Sequence, residues 1–166
     1  MKPDEITFVC DMMVGRLARW LRIFGYDTLY DPEKPVRDWV PLLLEERRVL
    51  LTRNRQIAPE LPPELYFWVE PNQPDAQIRQ VIEAFELDVQ SHLFSRCLLC
   101  NVPVVPAEKA EVRDKIPPRV WQTHTEFWRC PHCGRVYWQG SHLKRVKEHI
   151  RNILADSPNS SISLAI

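Results

Sequence analysis

Four of the five cysteines fall in two pairs of identical spacing, Cys97-Leu98-Leu99-Cys100 and Cys130-Pro131-His132-Cys133, with 29 residues between the pairs. A Cys-x-x-Cys turn brings two thiolates to within about 3.7 Å, the edge of a tetrahedron with Zn–S bonds of about 2.3 Å. A turn-former follows each pair, Asn101 or Gly134. Two such knuckles predict one zinc ion held by Cys97, Cys100, Cys130 and Cys133. Four cysteines leave no open position, so the ion would hold the fold and do no chemistry. A redox dithiol is the weaker reading, because that motif comes singly beside a βαβ unit. His132, inside the second knuckle, is expected to be exposed and not to ligate. Cys10 ends the apolar run Ile6–Cys10 and reads as a buried small hydrophobe.

A second set of candidates lies near the N-terminus. Asp11 follows the first apolar run, where an open parallel sheet would place its carboxyl end and its ligand crevice. It has two readings, a metal ligand or a helix cap. Asp38 opens a later helix and has the same two readings. The run Leu51-Thr52-Arg53-Asn54-Arg55 ends a third apolar stretch and points its polar end into that crevice. Hydrolysis of a phosphodiester with Mg²⁺ or Mn²⁺ needs several oxygen ligands from different strand ends. Two Asp and one Asn are a thin set. Arg16, Arg19, Arg22, Arg53 and Arg55 flank the same edge and would either hold phosphates or make a solvated polar face.

The elements that must position these residues are legible as alternation. Residues 6–10, 27–30, 48–52 and 65–70 read as strands. Helices are expected over 14–24, with Leu17, Trp20, Leu21 and Phe24 on one face, over about 38–47, and over 73–87. Strand and helix alternating predicts an α/β domain over residues 1–90, a parallel sheet flanked by helices. Beyond Asp88 prolines interrupt the chain and no βαβ period survives. Residues 91–156 are expected to form a zinc-ribbon domain built on the four cysteines, with a C-terminal helix over 142–154, and 157–166 a loose tail.

Charge divides the same way. Residues 1–90 carry 11 basic and 16 acidic side chains, a net of −5; residues 91–166 carry 11 and 6, a net of +5, with all five histidines. A basic module beside a carboxylate site would suit a polyanion; two ordinary domains segregating by chance is the alternative. No signal peptide and no membrane span are read, which makes a cytoplasmic location the expectation.

The stretches Phe8–Tyr30, Leu50–Arg55, Arg96–Asn101, Ile116–Gln122 and Phe127–His142 together resemble the Mut-seven C-terminal RNase domain family, a PIN-like nuclease core fused to a zinc ribbon. The resemblance runs in order from about residue 6 to 150. It implies a PIN-like α/β fold, dependence on Mg²⁺ or Mn²⁺, and single-stranded RNA as substrate. By position, Asp11 resembles the first metal-binding Asp and Asp38 the second. The third would fall where this chain has Asn54, which keeps a carbonyl oxygen and loses the charge. Trp138, Gly140, Ser141 and His142 match the end of the family's ribbon motif; Ser141 would cap the last helix, and His142 would either face the phosphate crevice or pack.

The expectation is therefore a metal-dependent ribonuclease-like protein, weakened at Asn54. Asp11 and Asp38 would hold the ion, and Arg16, Arg19, Arg53 and His142 would contact RNA. The rival is a non-catalytic RNA-binding module that uses the basic ribbon. In it Trp121, Trp128, Tyr137 and Trp138 would stack on bases, the alternative being that these rings fill the ribbon's own core. A protein-interaction scaffold is a third class that the sequence leaves open.

Overall fold

Residues 6–10 are apolar and partly β-branched, and they form β1 (Phe8–Cys10), whose three side chains are fully buried. The computed structural model describes residues 1–56 and 61–155; the predicted tail lies outside the described residues. β1 leads through a short 3-10 turn (Met12–Val14) into α1 (Gly15–Phe24). Gly25 ends that helix at φ 99°, its N–H reaching Arg22 O at 3.1 Å. A Cβ there would lie 2.7 Å from Ser95 Oγ and 2.8 Å from His92 O, so glycine is needed for space as well as for the left-handed backbone.

The chain continues through β2 (Thr28–Tyr30), a 3-10 turn (Val36–Trp39), α2 (Val40–Glu46), β3 (Val49–Thr52), β4 (Tyr66–Trp68) and α3 (Pro74–Phe85). The four strands form one parallel sheet in the order β2-β1-β3-β4, with Cys10 beside Tyr30 and Leu51, and Thr52 beside Trp68. A parallel sheet needs cover on both faces, and the pleat supplies two sets of apolar side chains. Phe8, Cys10 and Leu51 face a core with Leu17, Leu21 and Phe24 of α1 and Ile78, Val81 and Ile82 of α3. Val9 and Leu50 face the other way, onto Trp39, Leu43, Leu61 and Leu65. The expected mixed α/β sheet with flanking helices is the observed one. Each fully buried Leu or Phe contributes about 1.5–3 kcal/mol, so Leu21→Ala would cost about 2–5 kcal/mol.

The second part holds three strands and two helices. β5 (Val105–Ala107), α4 (Pro118–Thr123), β6 (Phe127–Arg129) and β7 (Val136–Tyr137) follow one another, and the strands pair antiparallel in the order β5-β6-β7. None of these strands is legible in the sequence, because runs of two or three residues carry no countable alternation. Val112, Ile116 and Phe127 make the ribbon's small core.

α5 (Ser141–Ala155) is the last of the described elements. The sequence groups this helix with the ribbon, yet it buries Val146, Ile150 and Ile153 in the α/β core beside α1 and α3. A three-residue ribbon core is too small to cover a four-turn apolar face. His149 stacks on Trp20 of α1 at 5.0 Å and bonds Asp75 of α3 at 3.1 Å. Among the described residues no helix is long and apolar enough to cross a membrane.

Candidate functional site

The cysteine site is built from two turns that β5–β7 hold together. The four Sγ atoms all lie within 4.8 Å of one another, with Cys97 and Cys133 at 3.8 Å. Each knuckle aims a backbone N–H at its first sulfur, Cys100 N to Cys97 Sγ and Cys133 N to Cys130 Sγ, both at 3.4 Å. Asn101 and Gly134 turn the chain at φ 61° and 71°. The Tyr137 hydroxyl adds a bond to Cys97 Sγ at 3.2 Å. Burial would raise the Cys97 thiol, but the bonds from Tyr137 and the knuckle N–H groups prevail and bring it down to about 6. Desolvation and the crowding sulfurs push Cys100 up to about 12; four thiolates this close need a cation between them. An all-thiolate tetrahedral donor set suits zinc, so these residues could hold one zinc ion. His132 is exposed and stands outside the cluster, as expected.

The first knuckle is also the dock between ribbon and sheet. Asn101, buried, accepts from Thr28 N at 2.9 Å and donates to Asp27 Oδ1 at 2.8 Å. Asp27 takes both arms of Arg48, at 2.7 and 3.2 Å. Burial would raise the Asp27 carboxyl, but Arg48 and Asn101 outweigh it and hold it below the usual range. Arg22 corrects one expectation. It is only 8% exposed and donates to Thr28 O, Leu98 O and Leu99 O at 2.9, 2.9 and 3.1 Å. This arginine is a bolt between α1 and the knuckle and is not available to phosphates. Helical spacing places it on the polar face with Arg16 and Arg19, and only the tertiary dock buries it.

At the carboxyl end of β1, Asp11 is 3% exposed. Its Oδ1 accepts from Met13 N at 2.7 Å, capping the 3-10 turn. Its Oδ2 accepts from the Thr52 hydroxyl and from Arg53 N, the latter at 3.1 Å. A carboxylate has about four acceptor positions, so three bonds leave one, on Oδ1. Asp11 is therefore a cap and a tie between the ends of β1 and β3, with one position to spare. Thr52, which carries this link, has no signal in the sequence beyond ending a strand. Next to Asp11, Cys10 is fully buried; burial and the neighbouring carboxylate push its thiol far up, so it is inert.

The other sequence candidates separate. Asn54 is exposed, and its Oδ1 closes a turn on Gln56 N at 2.9 Å, while its own N–H bonds Thr52 Oγ1 at 2.9 Å. Asp38 has its side chain 51% exposed and pairs with Arg37 at 3.5 Å. Neither carboxylate nor amide is shared with Asp11, and among the described residues only the cysteines form a group of three or more metal-ligating side chains. Arg53 spends its guanidinium on Glu70 O, Pro71 O and Asn72 Oδ1, bracing β3 against the loop after β4. Arg55 sits over Trp68 at 5.0 Å.

Arg16 and Arg19 keep the expected exposure on α1, and their side chains make no hydrogen bond or ion pair with another described residue. They line an open groove of about 460 Å³ that starts at Met13 and Gly15, two residues past Asp11, and runs between Tyr30 and Asn72. A Cβ at Gly15 would lie 2.5 Å from the Tyr30 hydroxyl, so any larger residue there would displace that ring. His142 lies elsewhere, at the start of α5, in a second groove with Arg19, Trp20, Tyr137 and Trp138. Of the aromatic candidates, Trp121 is held against the ribbon core by Lys109 and Arg113, at 4.9 and 5.1 Å. Tyr137 and Trp138 face the second groove, and half-buried Trp128 lines a third with Ser91 and Val104.

Two comparisons bear on this arrangement. Over 33 residues, 20% of this chain, the sequence is 48% identical to the exonuclease mut-7 homolog of Homo sapiens, and the match spans 4% of that protein's length. A family model described as the Mut7-C RNAse domain matches residues 6–150, which take in the parallel sheet, α1, the ribbon and most of α5. The chain belongs to the Mut7-C RNase domain family.

Proposed function

We propose that the protein is a ribonuclease-like enzyme that binds single-stranded RNA along α1 and hydrolyses it slowly, with Mg²⁺ or Mn²⁺ as cofactor. The observation that supports this reading best is Asp11. It is a buried carboxylate at the carboxyl end of a central parallel strand, with one acceptor position left, and Met13, whose N–H it caps, lines a groove that carries two unpaired arginines.

A hard divalent cation takes about six oxygen ligands, and Mg²⁺ commonly keeps waters and borrows substrate phosphates around one or two carboxylates. Asp11 fits that loose mode and does not make a protein cage. It would hold the ion with RNA present, Asp38 joining only by leaving Arg37. When bound, the ion would lower the pKa of a water and offset charge on the phosphate. The chain's own residues do the rest: Thr52 and the Arg53 N–H fix the Asp11 carboxylate, and Arg16 and Arg19 seat the phosphates through their forked N–H donors. The missing charge at Asn54 accounts for slow turnover.

A second reading, RNA binding without cleavage, is favoured by one observation. Asn54 Oδ1 is closed on Gln56 and Asp38 faces solvent, so no second ligand stands ready. Incubating end-labelled single-stranded RNA with Mn²⁺ and either wild type or Asp11→Asn separates the two. The enzyme reading expects slow cleavage by wild type, none by Asp11→Asn, and RNA affinities within about twofold. Intact binding with no cleavage by wild type supports the second reading.

A further inference from the structure

The groove between α1 and the ribbon differs in character from the arginine groove beside it. It encloses about 430 Å³, within the range of about 300–1,000 Å³ usual for small-molecule sites. Its walls are largely apolar and aromatic, with Trp20 on one side and Tyr137 and Trp138 on the other. Its polar groups are few and include Arg19 and His142, both exposed and without a partner among the described residues.

Two of the three rings are fixed in advance. Trp20 is stacked on His149, which Asp75 holds at 3.1 Å. The Tyr137 hydroxyl is pinned between Cys97 Sγ and Leu98 N, both at 3.2 Å. Preset rings lose little entropy when a planar ligand enters. Arg19 lines both grooves. A ligand whose phosphate meets Arg19 in the first groove can therefore send a flat apolar group into the second.

We infer that this slot seats an unpaired nucleobase of the strand whose phosphates lie along Arg16 and Arg19. The inference rests on the proposed RNA reading and adds to it a reason for single-strand selectivity, since a paired base cannot leave its stack to enter. Stacking on a ring is open to any base, so the slot would prefer bases over no base without selecting strongly among them. His142 and Arg19 are cations or donors that can meet the acceptor edge of the base or the next phosphate.

The test compares two probes of equal length on the full zinc-loaded protein: a labelled single-stranded oligouridylate and its abasic ribose-phosphate counterpart. Wild type is expected to bind the base-bearing probe about tenfold more tightly, the scale of one base–aromatic stack. Trp138→Ala should reduce that preference to within about twofold, Trp138→Phe should restore most of it, and zinc content should stay at one per chain in both. Arg16→Ala should weaken both probes alike. Equal binding of the two probes by wild type, or an unchanged preference in Trp138→Ala, overturns the base slot while leaving RNA binding standing. Absence of salt-sensitive binding to either probe overturns the RNA reading and the slot together.

Discussion

The two candidate metal centres of this chain were built under different constraints, and the contrast explains why one is complete and the other sparse. At the ribbon, each pair of ligands is fixed by its own turn. The fold has only to bring two turns together, and the pairing of β5, which follows the first turn, with β6, which leads into the second, does so. At the end of the parallel sheet, each ligand sits on a different strand or crossover, so assembly depends on where three separate chain segments finish. Asp11 is buried and tied down, Asp38 is solvent-facing, and Asn54 is folded back on its own loop.

Breaking the ribbon should have the largest effect. Zinc binding to small thiolate modules is worth roughly 10–16 kcal/mol at neutral pH and is folding energy. Cys97→Ser, or chelation, should abolish zinc uptake and unfold residues 97–138. Because Arg22 and Asn101 lean on the first knuckle, the melting temperature of the α/β core should fall as well. Metal analysis with thermal melts followed by near-ultraviolet dichroism checks both parts. A core that melts unchanged without zinc would show the two regions to be independent.

Asp27 tests the joint itself. Asp27→Asn removes the carboxylate that holds two arms of Arg48, leaving that arginine only its Nε bond to Glu46, and should cost about 1–3 kcal/mol. The folded carboxyl is held below its ordinary value of about 3.9. Its contribution is therefore fully present above that pH and is lost as pH falls through the lower folded value. Chemical denaturation from pH 6 to pH 2.5 should show wild type losing stability on that limb, and Asp27→Asn following a flatter curve.

On the RNA side the expected effects are smaller. Arg16→Ala removes one exposed phosphate contact, so affinity for single-stranded RNA should fall a few-fold and the salt slope by about 0.7. Arg53→Ala, in contrast, should change stability more than RNA affinity, because its guanidinium already braces the loop at Glu70 and Pro71. Fluorescence anisotropy at several salt concentrations distinguishes the two arginines.

What could be read in the sequence follows the same line between local and distant. The cysteine cluster, the parallel strands and the helices at 15–24 and 74–85 rest on short-range spacing, and the structure reproduces them. Arg22 shows the limit: its helical phase is polar, but docking of the ribbon buries it. Asn101 reads as a turn-former and is one, and nothing in its neighbourhood announces that its side chain joins the ribbon to β2 and Asp27. The α5 helix is visible as a helix, while its partner is not, because periodicity names a face and not what covers it. For Asp11 the cap reading is the one the fold displays: three of its acceptor positions serve the fold and one remains.

At the sheet end Asp11 is the one carboxylate tied in place, with Asp38 paired to Arg37 and Asn54 closed on Gln56, and Asn54→Asp tests most simply whether a second carboxylate can join it. Mn²⁺ is titrated against wild type and Asn54→Asp in the presence of a non-cleavable single-stranded RNA analogue, and both are then assayed on cleavable RNA. An added carboxylate beside a hard dication should tighten Mn²⁺ binding a few-fold and raise the cleavage rate in step. Equal Mn²⁺ affinity and no cleavage by either protein would contradict the account and leave a protein that binds RNA without cutting it.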